Sequence, residues 1–584
     1  MKNRHHSRYM ILGIVFGFVA LLLIGRLVYI QIGPQTEDLE AIEKTDSKQL
    51  LDLDPVRGDI LDRQGRMLAG NKQIYEVAVE LNYVLNPESI ALAASVILGE
   101  DYDEVYQIAS QNPEDLEVTH ITLDNYVTQE EIAELEKLRE KLEEEPEQAG
   151  VSSDGRRHSL SGIEVIPRLG RSYPEQAVAS NVIGFVNQID ESHFGIEEGL
   201  DGLLSGVKKS LVISVAPHHA LELPDTPNGA SLILTIDREI QVAVEDVLDQ
   251  ALIETGAYAG TIVVMSPRTG EILAMASSPR LNLDEFWRVE EIFPDGQAYN
   301  LALDGYESGS VFKVITMAAA LDSETVVPET EFVDTGSIVV GGRTIYNWDR
   351  GAWGPQTMTT CMQHSLNVCL AWVATQMGPT TFYEYIQNFG FGQTTGISLA
   401  GEYGGHLRLP TSPNWYEIDL GTNSFGQGIE VTPIQMLQAI SAVANDGNMV
   451  TPHILKAVVN RDRQYDIDPE IAGSPISAET AHTLTEMLSV SLEDEASTAL
   501  LPGYRLAGKT GTAEIYNRAR TNASFVGWGP VDDPEFMIYI WLREPTTSQW
   551  ASLVAAPVFH DTAKRLVVLM DIPPDQVRLG MTSP

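Results

Sequence analysis

A serine and a lysine stand three residues apart at the start of a long apolar segment. Ser310 and Lys313 open the segment, and nearly every residue from Val311 to Leu321 is apolar or a strong helix former. This pattern predicts a helix that is buried on most sides. Its N-terminus would favour negative charge on the oxygen of Ser310, and burial would favour the neutral amine of Lys313, which can act as a base. The segment therefore predicts a nucleophile and a base supplied by one helical turn.

A second Ser-x-x-Lys in the same chain shows how weakly such a motif selects. Ser205 and Lys208 have the same spacing, but they run into an alternating apolar segment at 211–215 that predicts a strand. An isolated Ser-x-x-Lys is usually an ordinary helix surface. Ser310 is favoured because two further motifs accompany it.

These two motifs follow in order along the chain. Ser365-Leu366-Asn367 lies in a segment that is predicted to be helical, and Lys509-Thr510-Gly511-Thr512 directly precedes a strand-rich C-terminal region. A second Ser-x-Asn, at 412–414, contains a proline that predicts a loop. By itself, Lys-Thr-Gly-Thr is explained equally well as a turn that leads into a strand and as a functional site. The occurrence of all three motifs in this order is far less expected by chance.

The elements around the motifs predict an α+β domain. Strands are predicted at 231–236, 260–265 and 271–276, with an amphipathic helix starting at Asp237. Helical segments dominate from 310 to about 389 and from 432 to 445, and strands return near Lys509, at 524–529 and at 535–542. This order favours an antiparallel sheet that meets a helical lobe.

An uncharged stretch near the N-terminus predicts a membrane-spanning helix. It runs from Tyr9 to Gly25, and with the apolar residues that follow it is long enough to cross a bilayer. Three basic residues precede it (Lys2, Arg4 and Arg8), so we expect the N-terminus in the cytoplasm and the remaining chain outside. A cleavable signal peptide is the alternative, but it would have a shorter apolar core and a small-residue cleavage site, which does not follow here.

The region between about 34 and 222 is polar and carries mixed signals. Arg57–Ala69 has short apolar positions around a hairpin-like corner at residues 63–65. Gln129–Glu144 predicts a charged helix, polar nearly all round, that extends into solvent or contacts a partner. The chain contains no nucleotide-binding loop, metal-ligand spacing or internal repeat, so the sequence predicts no metal site.

Composition narrows the function classes. The chain has 584 residues and a formal net charge of −44, with 82 acidic and 38 basic residues. Nucleic-acid binding is not expected, because phosphate recognition needs a basic surface. Only two cysteines are present, which excludes a disulfide scaffold. Cys361 and Cys369 would lie about 12 Å apart on one helix, too far to bridge, so we predict small core residues there.

The three motifs together resemble the signatures of penicillin-binding proteins and serine β-lactamases. The N-terminal apolar segment and the Arg57–Ala69 motif make the chain similar to class B penicillin-binding proteins, the monofunctional peptidoglycan transpeptidases, of the FtsI-like kind. The resemblance extends from about residue 9 to about residue 570. Two departures are small: Ser308 stands where a proline is usual, and Leu366 where the family often has a second serine.

The resemblance implies a role for each motif residue. Ser310 would attack the carbonyl between the last two D-alanines of a stem peptide, and Lys313 would take its proton. Ser365 would pass a proton to the leaving amine, and Asn367 would orient the substrate. The substrate carboxylate would be held by Lys509 and Thr510, with Gly511 allowing close approach and Thr512 supplying an oxyanion-hole N–H beside that of Ser310.

The resemblance also implies partners. These are peptidoglycan stem peptides, β-lactams, the membrane through one N-terminal helix, and a SEDS-type glycan polymerase, with no metal, organic cofactor or nucleic acid. The Asn347-Trp348-Asp349 and Phe389–Gly392 patterns lean towards a role in division rather than elongation. The alternatives are a D,D-carboxypeptidase, a β-lactamase, a bifunctional polymerase and a non-catalytic β-lactam sensor or scaffold.

Five segments are predicted from these signals. They are a cytoplasmic tail (1–8), a transmembrane anchor (9–32), a pedestal of the dimerisation type (33–222), a transpeptidase domain (223–570) and a C-terminal tail (571–584). The transpeptidase domain is expected to have the penicillin-binding and serine β-lactamase-like α+β fold, behind an elongated mixed α/β pedestal.

Overall fold

The computed structural model describes residues 3–580 with gaps at 33–47, 54, 117, 145–150, 152–154, 215–226, 295–296, 462, 495 and 516–519. Backbone contacts divide the chain into two compact units. The first consists of Met1–Val56 and Ser205–Gly229, and the second of Arg57–Leu204 and Ala230–Pro584. The predicted boundary between pedestal and transpeptidase domain stays a prediction.

The first unit contains a long helix and a two-stranded ladder. Helix α1 (Asn3–Ile32) includes a 20-residue window, Met10–Tyr29, with a mean hydropathy of 2.6. This window is long and apolar enough to cross a bilayer. Strand β1 (Lys48–Leu53) pairs antiparallel with β8 (Lys209–Ser214). The strand predicted after the second Ser-x-x-Lys is therefore confirmed up to Ser214, while Val215 lies outside the described residues.

A mixed sheet in the second unit joins early and late parts of the chain. Its early strands are β2 (Ile60–Leu61), β3 (Met67–Glu80), β4 (His120–Val127) and β5 (Ile163–Ser172), and its late strands are β9 (Ser231–Leu234), β17 (Leu455–Asn460) and β18 (Arg463–Asp466). The order is β18-β17-β9-β2-β3-β4, with β5 also beside β3. The pair β2–β9 is parallel and the others are antiparallel. The predicted corner is a tight turn in which Gly65, at φ +84°, donates to Asp62.

Three helices share one apolar cluster with β3. They are α2 (Pro87–Ala93, continued by a π-helix at Ala94–Leu98), α3 (Tyr102–Ala109) and α4 (Gln129–Glu144). The prediction of a helix at 129–144 is confirmed. It does not extend freely into solvent, because one face is buried, and its contact with a partner stays a prediction. Ile132 and Leu135 are buried in a cluster with Val77 and Val79 of β3. A narrow apolar stripe three residues apart is enough to bury one face of an otherwise charged helix.

The sheet beside the motifs has five antiparallel strands. They are β10 (Ala259–Met265), β11 (Ile272–Ser278), β20 (Ala507–Glu514), β21 (Thr521–Gly529) and β22 (Phe536–Arg543), in the order β11-β10-β22-β21-β20. Along β10, Ile262 and Val264 face a different apolar cluster from Val263 and Met265. Because side chains alternate along a strand, this sheet is buried on both faces, and β20 is an edge strand.

Helices cover the two faces. On one face lie α8 (Arg238–Thr255) and α17 (Ala556–Leu569), which pack on each other. The helical lobe on the other face is made of α10 (Lys313–Asp322), α11 (Met358–Gln363), α12 (Asn367–Asn388), α14 (Pro433–Ala444) and α15 (Ala478–Asp494). Residues 313–320 of α10 are all buried, which confirms the predicted buried helix. The α+β architecture predicted from the sequence is therefore confirmed.

Short elements complete the described chain. The strands are β6 (Phe185–Val186), β7 (Ser192–His193), β12 (Glu331–Asp334), β13 (Ser337–Val340), β14 (Arg343–Tyr346), β15 (Gly354–Thr357), β16 (Met449–Val450) and β19 (Ile471–Gly473). The helices are α5 (Ser180–Ile183), α6 (Gly195–Gly199), α7 (Asp201–Leu204), α9 (Val289–Ile292), α13 (Glu417–Asn423), α16 (Ala551–Val554) and α18 (Asp575–Arg578).

The prediction that the two cysteines cannot bridge is wrong. Cys361 and Cys369 form a disulfide, and their Cα atoms are 6.2 Å apart. The larger separation assumed one continuous helix. Instead α11 ends at Gln363 and α12 begins at Asn367, so the chain reverses between the two cysteines and brings them together.

Candidate active site

The first turn that carries the serine is a 3-10 turn. It spans Gly309–Phe312 and leads directly into α10, whose first residue is Lys313. Ser310 is half-buried in a cavity wall, whereas Lys313 is fully buried. The prediction that one helical start supplies both residues is correct, although the start is tighter than an α-helical turn.

The buried amino group of Lys313 is surrounded by oxygen atoms of the Ser365-Leu366-Asn367 motif. Its Nζ donates to the main-chain oxygen of Ser365 (2.6 Å), to Oδ1 of Asn367 (2.8 Å) and to Oγ of Ser365 (3.2 Å). These acceptors compensate the loss of water around a buried polar group. The structure therefore joins the first two motifs through one side chain.

Ser365 occupies a chain reversal rather than a helix. Its φ is +53°, a left-handed conformation that is uncommon outside glycine. The turn is closed by hydrogen bonds from the N–H of Ser365 to Met362 and from the N–H of Leu366 to Cys361. This reversal places both the main-chain oxygen and the hydroxyl of Ser365 against Lys313. The prediction that this motif lies within a helical stretch is correct only for Asn367, the first residue of α12.

Asn347 supports the start of α12, which carries the last residue of the Ser365-Leu366-Asn367 motif. It is buried, its side-chain oxygen accepts from the N–H of Val368 (3.1 Å) and its amide donates to Asp334 (2.7 Å). Asn367 also donates to the main-chain oxygen of Tyr346 (3.3 Å). The sequence showed Asn347 only as part of a family-like pattern, and no local signal indicated that it would support the α12 N-terminus.

Two glycines let the third motif lie directly against the nucleophile turn. A Cβ on Gly511 would lie 2.5 Å from the main-chain oxygen of Ser308 and 2.6 Å from a methyl group of Val311. Gly309 has φ +59°, and a Cβ there would lie 2.6 Å from the main-chain oxygen of Thr512. Distances under 3 Å are not tolerated between these atoms. The glycines are thus required by the contact between β20 and the Ser310 turn.

The cationic residue of the third motif is buried next to its threonine. Lys509 is 2% and Thr510 is 6% exposed, and the Lys509 ammonium lies 3.4 Å from the Thr510 hydroxyl. Thr512 accepts through its hydroxyl from the N–H of Ala551 (3.1 Å). This bond links β20 to the segment Trp550–Leu553 at the cavity rim.

One cavity of about 450 Å³ brings the three motifs together. Its lining residues are Ser310, Trp348, Ser365, Asn367, Phe425, Gln427, Thr510, Thr512, Glu514, Thr521, Gln549, Trp550, Ser552 and Leu553. Lys313 and Lys509 lie just behind this wall. A larger groove of about 780 Å³ between α8 and α17 contains none of the predicted site residues, so size alone does not identify the reactive site.

Tyr306, four residues before Ser310, was not assigned a role from the sequence. The Tyr306 hydroxyl contacts Ser524 (2.8 Å) and Tyr539 (2.6 Å), and its ring stacks on Trp541 at 3.9 Å. Burial raises the pKa of the Tyr306 phenol. This buried network ties the nucleophile turn to β21 and β22. Its only sequence signal is a tyrosine just before the serine motif.

Glu307 holds a glycine loop at the cavity. Its carboxylate accepts from the N–H of Gly428 (2.8 Å), and the N–H of Gly309 donates to the main-chain oxygen of Gly426 (3.1 Å). Burial raises the pKa of the Glu307 carboxyl, the Gly428 N–H lowers it and Glu430 raises it further. The loop that carries Gln427 into the cavity is therefore fixed to the nucleophile turn. Among the described residues, no group of three His, Cys, Asp or Glu side chains could hold a metal ion.

The chain matches two family models. The penicillin binding protein transpeptidase domain matches residues 260–564, and the penicillin-binding protein dimerisation domain matches residues 52–210. All residues of the cavity wall lie within the first match.

Individual proteins are similar in sequence to nearly the whole chain. Stage V sporulation protein D of Bacillus subtilis is 32% identical over 570 residues, which cover 93% of this chain and 83% of the relative. The probable peptidoglycan D,D-transpeptidase PbpC of Pseudomonas aeruginosa is 27% identical over 597 residues, covering 99% and 98%. Peptidoglycan D,D-transpeptidase FtsI of Escherichia coli is 27% identical over 434 residues, covering 72% and 71%.

Solved structures share the fold. The crystal structure of penicillin binding protein 3 from Mycobacterium tuberculosis, complexed with aztreonam, has a TM-score of 0.67 at 25% sequence identity and covers 90% of this chain and 98% of that chain. A peptidoglycan synthetase from Bifidobacterium adolescentis has a TM-score of 0.69 at 23% identity and covers 92% and 98%.

Proposed function

Since the chain belongs to the class B penicillin-binding proteins and is a peptidoglycan D,D-transpeptidase of cell-wall synthesis, we propose that Ser310 is the residue that a donor stem peptide acylates. The observation that carries this assignment is the contact of Lys313 with both Ser365 and Asn367, which line the same cavity as Ser310. This contact supports the assignment of a proton acceptor (Lys313), a hydroxyl relay (Ser365) and a substrate-orienting amide (Asn367) to the cavity that Ser310 lines.

In the first half-reaction the Ser310 oxygen attacks the carbonyl between the two terminal D-alanines. Lys313 takes the hydroxyl proton, directly or through Ser365, and the new C–O bond forms a tetrahedral intermediate. The C–N bond then breaks, and Ser365 delivers a proton to the leaving D-alanine amine. Asn367 holds the substrate amide. The product is an ester between the donor and Ser310.

Charge on the intermediate is stabilised by backbone N–H groups. We assign the oxyanion hole to the N–H groups of Ser310 and Thr512. Two observations support this: β20 is an edge strand, and Gly511 and Gly309 bring it against the Ser310 turn. Removing one such donor typically lowers kcat by about 10²–10³-fold.

The terminal carboxylate of the donor binds at the cationic end of β20. Lys509 supplies charge from behind the wall, and Thr510 supplies a hydroxyl in the cavity. A β-lactam presents an anionic group (a carboxylate in penicillins, a sulfonate in monobactams such as aztreonam) and a reactive amide in the same order, so it acylates the same serine. The M. tuberculosis relative is described as complexed with aztreonam, in agreement with this assignment.

In the second half-reaction the amine of another stem peptide attacks the ester. The C–O bond to Ser310 breaks, the amine loses its proton to the Lys313 and Ser365 pair, and Ser310 regains its hydroxyl. A new amide cross-links the two peptides. Water would give hydrolysis instead, so the acceptor must be positioned and water limited.

Labelling with a fluorescent penicillin tests the nucleophile. Ser310→Ala should abolish labelling, while Ser205→Ala, the matched variant in the second Ser-x-x-Lys, should label like the wild type. Peptide mass mapping of the labelled protein should place the adduct on Ser310. Labelling that persists without Ser310 would contradict the assignment.

We further propose that α1 anchors the protein in the cell membrane with the N-terminus in the cytoplasm. The supporting observations are the apolar window Met10–Tyr29 and the basic residues before it. On this proposal residues 33–222 form a pedestal that raises the transpeptidase domain (223–570) towards the glycan strands, and the dimerisation-domain match at 52–210 supports that division. Protease protection in sealed vesicles should leave only the N-terminal tail on the cytoplasmic side.

We propose a SEDS-type glycan polymerase as the partner and cell division as the process. The similarity to FtsI supports this choice. The purified protein and polymerase, incubated with lipid-linked precursor, should yield cross-linked muropeptide dimers that disappear with Ser310→Ala. Tetrapeptide monomers without dimers, still dependent on Ser310, would indicate a carboxypeptidase instead.

A further inference from the structure

We propose that Glu514 and Trp550 form a subsite that binds the side-chain ammonium of the donor stem peptide. This subsite would select donors that carry a free amine on the residue before the two D-alanines. The inference rests on the proposed function, because it takes Ser310 as the nucleophile and β20 as the strand that binds the donor.

Three side chains on one face of β20 line the cavity. They are Thr510, Thr512 and Glu514. Residues two apart on a strand point to the same face, about 6–7 Å from each other. Along this face the chemistry changes from hydroxyl to carboxylate, and the Ser310 turn packs against the main chain of β20 at Gly511 and Thr512.

The direction of the donor follows from the two hydroxyl positions. With the terminal carboxylate at Thr510 and the scissile carbonyl at the N–H of Thr512, the rest of the donor runs along β20 towards Glu514. The residue before the two D-alanines is then about one strand residue, some 3–4 Å, beyond the scissile carbonyl. Glu514 is about 6–7 Å beyond Thr512, a gap that a long amine-bearing side chain spans.

The cavity wall has a single ionisable side chain. Of the fourteen lining residues, Glu514 is the one with an acidic or basic side chain, and Lys313 and Lys509 are buried and are not part of the lining. Within the described part of the chain, the Glu514 carboxylate has no hydrogen bond or salt bridge. A solvated carboxylate at the far end of the donor track therefore favours a cation and disfavours an anion at that position.

Trp550 supplies an apolar wall beside the carboxylate. The N–H of the next residue, Ala551, bonds the Thr512 hydroxyl (3.1 Å) and holds this segment one strand step from Glu514. The Trp550 ring meets Trp348 edge-on, with centroids 5.2 Å apart and an interplanar angle of 71°. Indole rings attract ammonium groups, and the methylene stem of the donor side chain packs on the same surface.

The proposed subsite would distinguish donor stem peptides by whether their side-chain amine is free. Every donor is also a potential acceptor, because both are copies of one stem peptide and the acceptor reacts through its amine. A donor whose amine is already used in a cross-link, or is chemically capped, has lost the positive charge. Glu514 would thus bias the enzyme towards donors that have not yet been cross-linked.

The experiment compares two soluble peptides that end in D-Ala–D-Ala and differ only in a free or acetylated side-chain amine. Their second-order rates of Ser310 acylation are measured with the full-length protein in detergent, by competition against a fluorescent penicillin. We expect the wild type to prefer the free amine by about three- to tenfold. The preference should fall as salt is added, because the pair is exposed to solvent.

Three variants complete the test. Glu514→Gln should lower the rate with the free-amine peptide until the two peptides react alike, each rate being expressed relative to the penicillin acylation rate of the same variant. Glu514→Lys should reverse the order and favour a peptide with a succinylated amine. Glu535→Gln removes an exposed carboxylate at the opposite end of the same sheet and should keep the wild-type preference.

The outcomes separate the two proposals. If penicillin acylates Ser310 but the wild type shows no amine preference, or Glu514→Gln keeps it, the subsite is wrong and the proposed function stands. If Glu514→Gln also changes the rate of penicillin acylation, the test rests on Glu514→Lys. A Glu514→Lys variant that still prefers the free-amine peptide would overturn the subsite. If Ser310 is not acylated by any probe, both proposals fail.

Discussion

The chain contains two Ser-x-x-Lys motifs that share residue types and spacing but differ in environment. Around Lys208 the chain is an exposed connection that leads into β8. Lys313, in contrast, is fully buried at the start of α10, with three oxygen acceptors from Ser365 and Asn367. A lysine that is enclosed by fixed dipoles next to a hydroxyl can exchange a proton with that hydroxyl. The comparison shows that burial and partners, rather than spacing, create the chemistry.

Replacing the two lysines should give the largest contrast. Lys313→Ala should lower the rate of penicillin acylation by about 10²–10⁴-fold, the usual contribution of a positioned acid–base group. Lys208→Ala should leave the rate unchanged. Stopped-flow measurement with a fluorescent penicillin gives both values, and circular dichroism checks that the Lys313 variant is folded.

Equal losses in the two variants would mean that the comparison is wrong and that Lys313 acts only through net charge. A Lys313→Ala variant that still acylates at the wild-type rate would also remove the basis for its role as base.

The next effect concerns the glycines that let β20 approach the Ser310 turn. Gly511→Ala should lower the acylation rate by about 10²-fold, because the methyl group pushes the oxyanion-hole strand from the nucleophile. Gly202→Ala, close to the second Ser-x-x-Lys, has no atom within 4 Å of the added Cβ and should have no effect. Acylation rates and thermal unfolding measure both. A Gly511→Ala variant with the wild-type rate would show that the close approach is dispensable.

The disulfide across the Ser365 turn should have an intermediate effect. The double variant Cys361→Ala, Cys369→Ala removes a covalent link between α11 and α12, on both sides of the residues that hold Lys313. We expect the free energy of unfolding to fall by about 2–4 kcal/mol and acylation to slow by about tenfold, since a less restrained Ser365 turn positions Lys313 less well. Chemical denaturation and penicillin labelling measure the two effects.

Ser365, which lies in the turn between the two cysteines, provides the comparison for the disulfide variant. The same double substitution should not change acylation more than Ser365→Ala does, because it acts through that residue. A larger loss would point to a general collapse of the lobe instead of a local one.

The smallest effect concerns Glu307, whose carboxyl pKa is raised in the folded state mainly by burial. A carboxyl with a raised folded-state pKa contributes stability that is present below its unfolded pKa and is lost as the pH rises through the folded pKa. Glu307→Gln keeps an oxygen acceptor for Gly428 and removes this loss. We expect the variant to gain less than about 1 kcal/mol at pH 8 relative to the wild type and nothing at pH 4.

Thermal unfolding between pH 4 and pH 8 checks this expectation. Glu329→Gln, an exposed carboxylate in a loop before β12, is the matched control and should leave the pH profile unchanged. A Glu307→Gln variant that loses stability at pH 8 would show that the charged form is the one that the fold requires.

Much of the fold could be predicted because its signals are local. The apolar run of α10, the hairpin of β10 and β11, and the three C-terminal strands each follow from periodicity over a few residues. The charged helix α4 shows the limit of such patterns. Its position was predicted correctly, but its burial was not, since Ile132 and Leu135 are apolar enough to pack only when β3 is present beside them.

The disulfide and the supporting residues could not be predicted for a related reason. Whether Cys361 and Cys369 meet depends on a chain reversal at Ser365. Ser365 has a positive φ, and the sequence gives no sign of it because the residue is not a glycine. The contacts of Tyr306 and Glu307 depend on strands and loops more than one hundred residues away in the chain. Sequence separation hides such partners, because side chains are selected by what surrounds them after folding.

The sequence by itself determined which side chains are capable of the chemistry, in which order they occur, and that an apolar helix precedes them. Residue type and short-range periodicity are enough for those conclusions. Only the tertiary structure decided which of the two Ser-x-x-Lys motifs lies in a cavity, that Ser365 faces Lys313 across 52 residues of chain, and that Gly511 touches the turn of Ser308. Those outcomes depend on burial and on distances between remote segments, which are set when helices and sheet pack together.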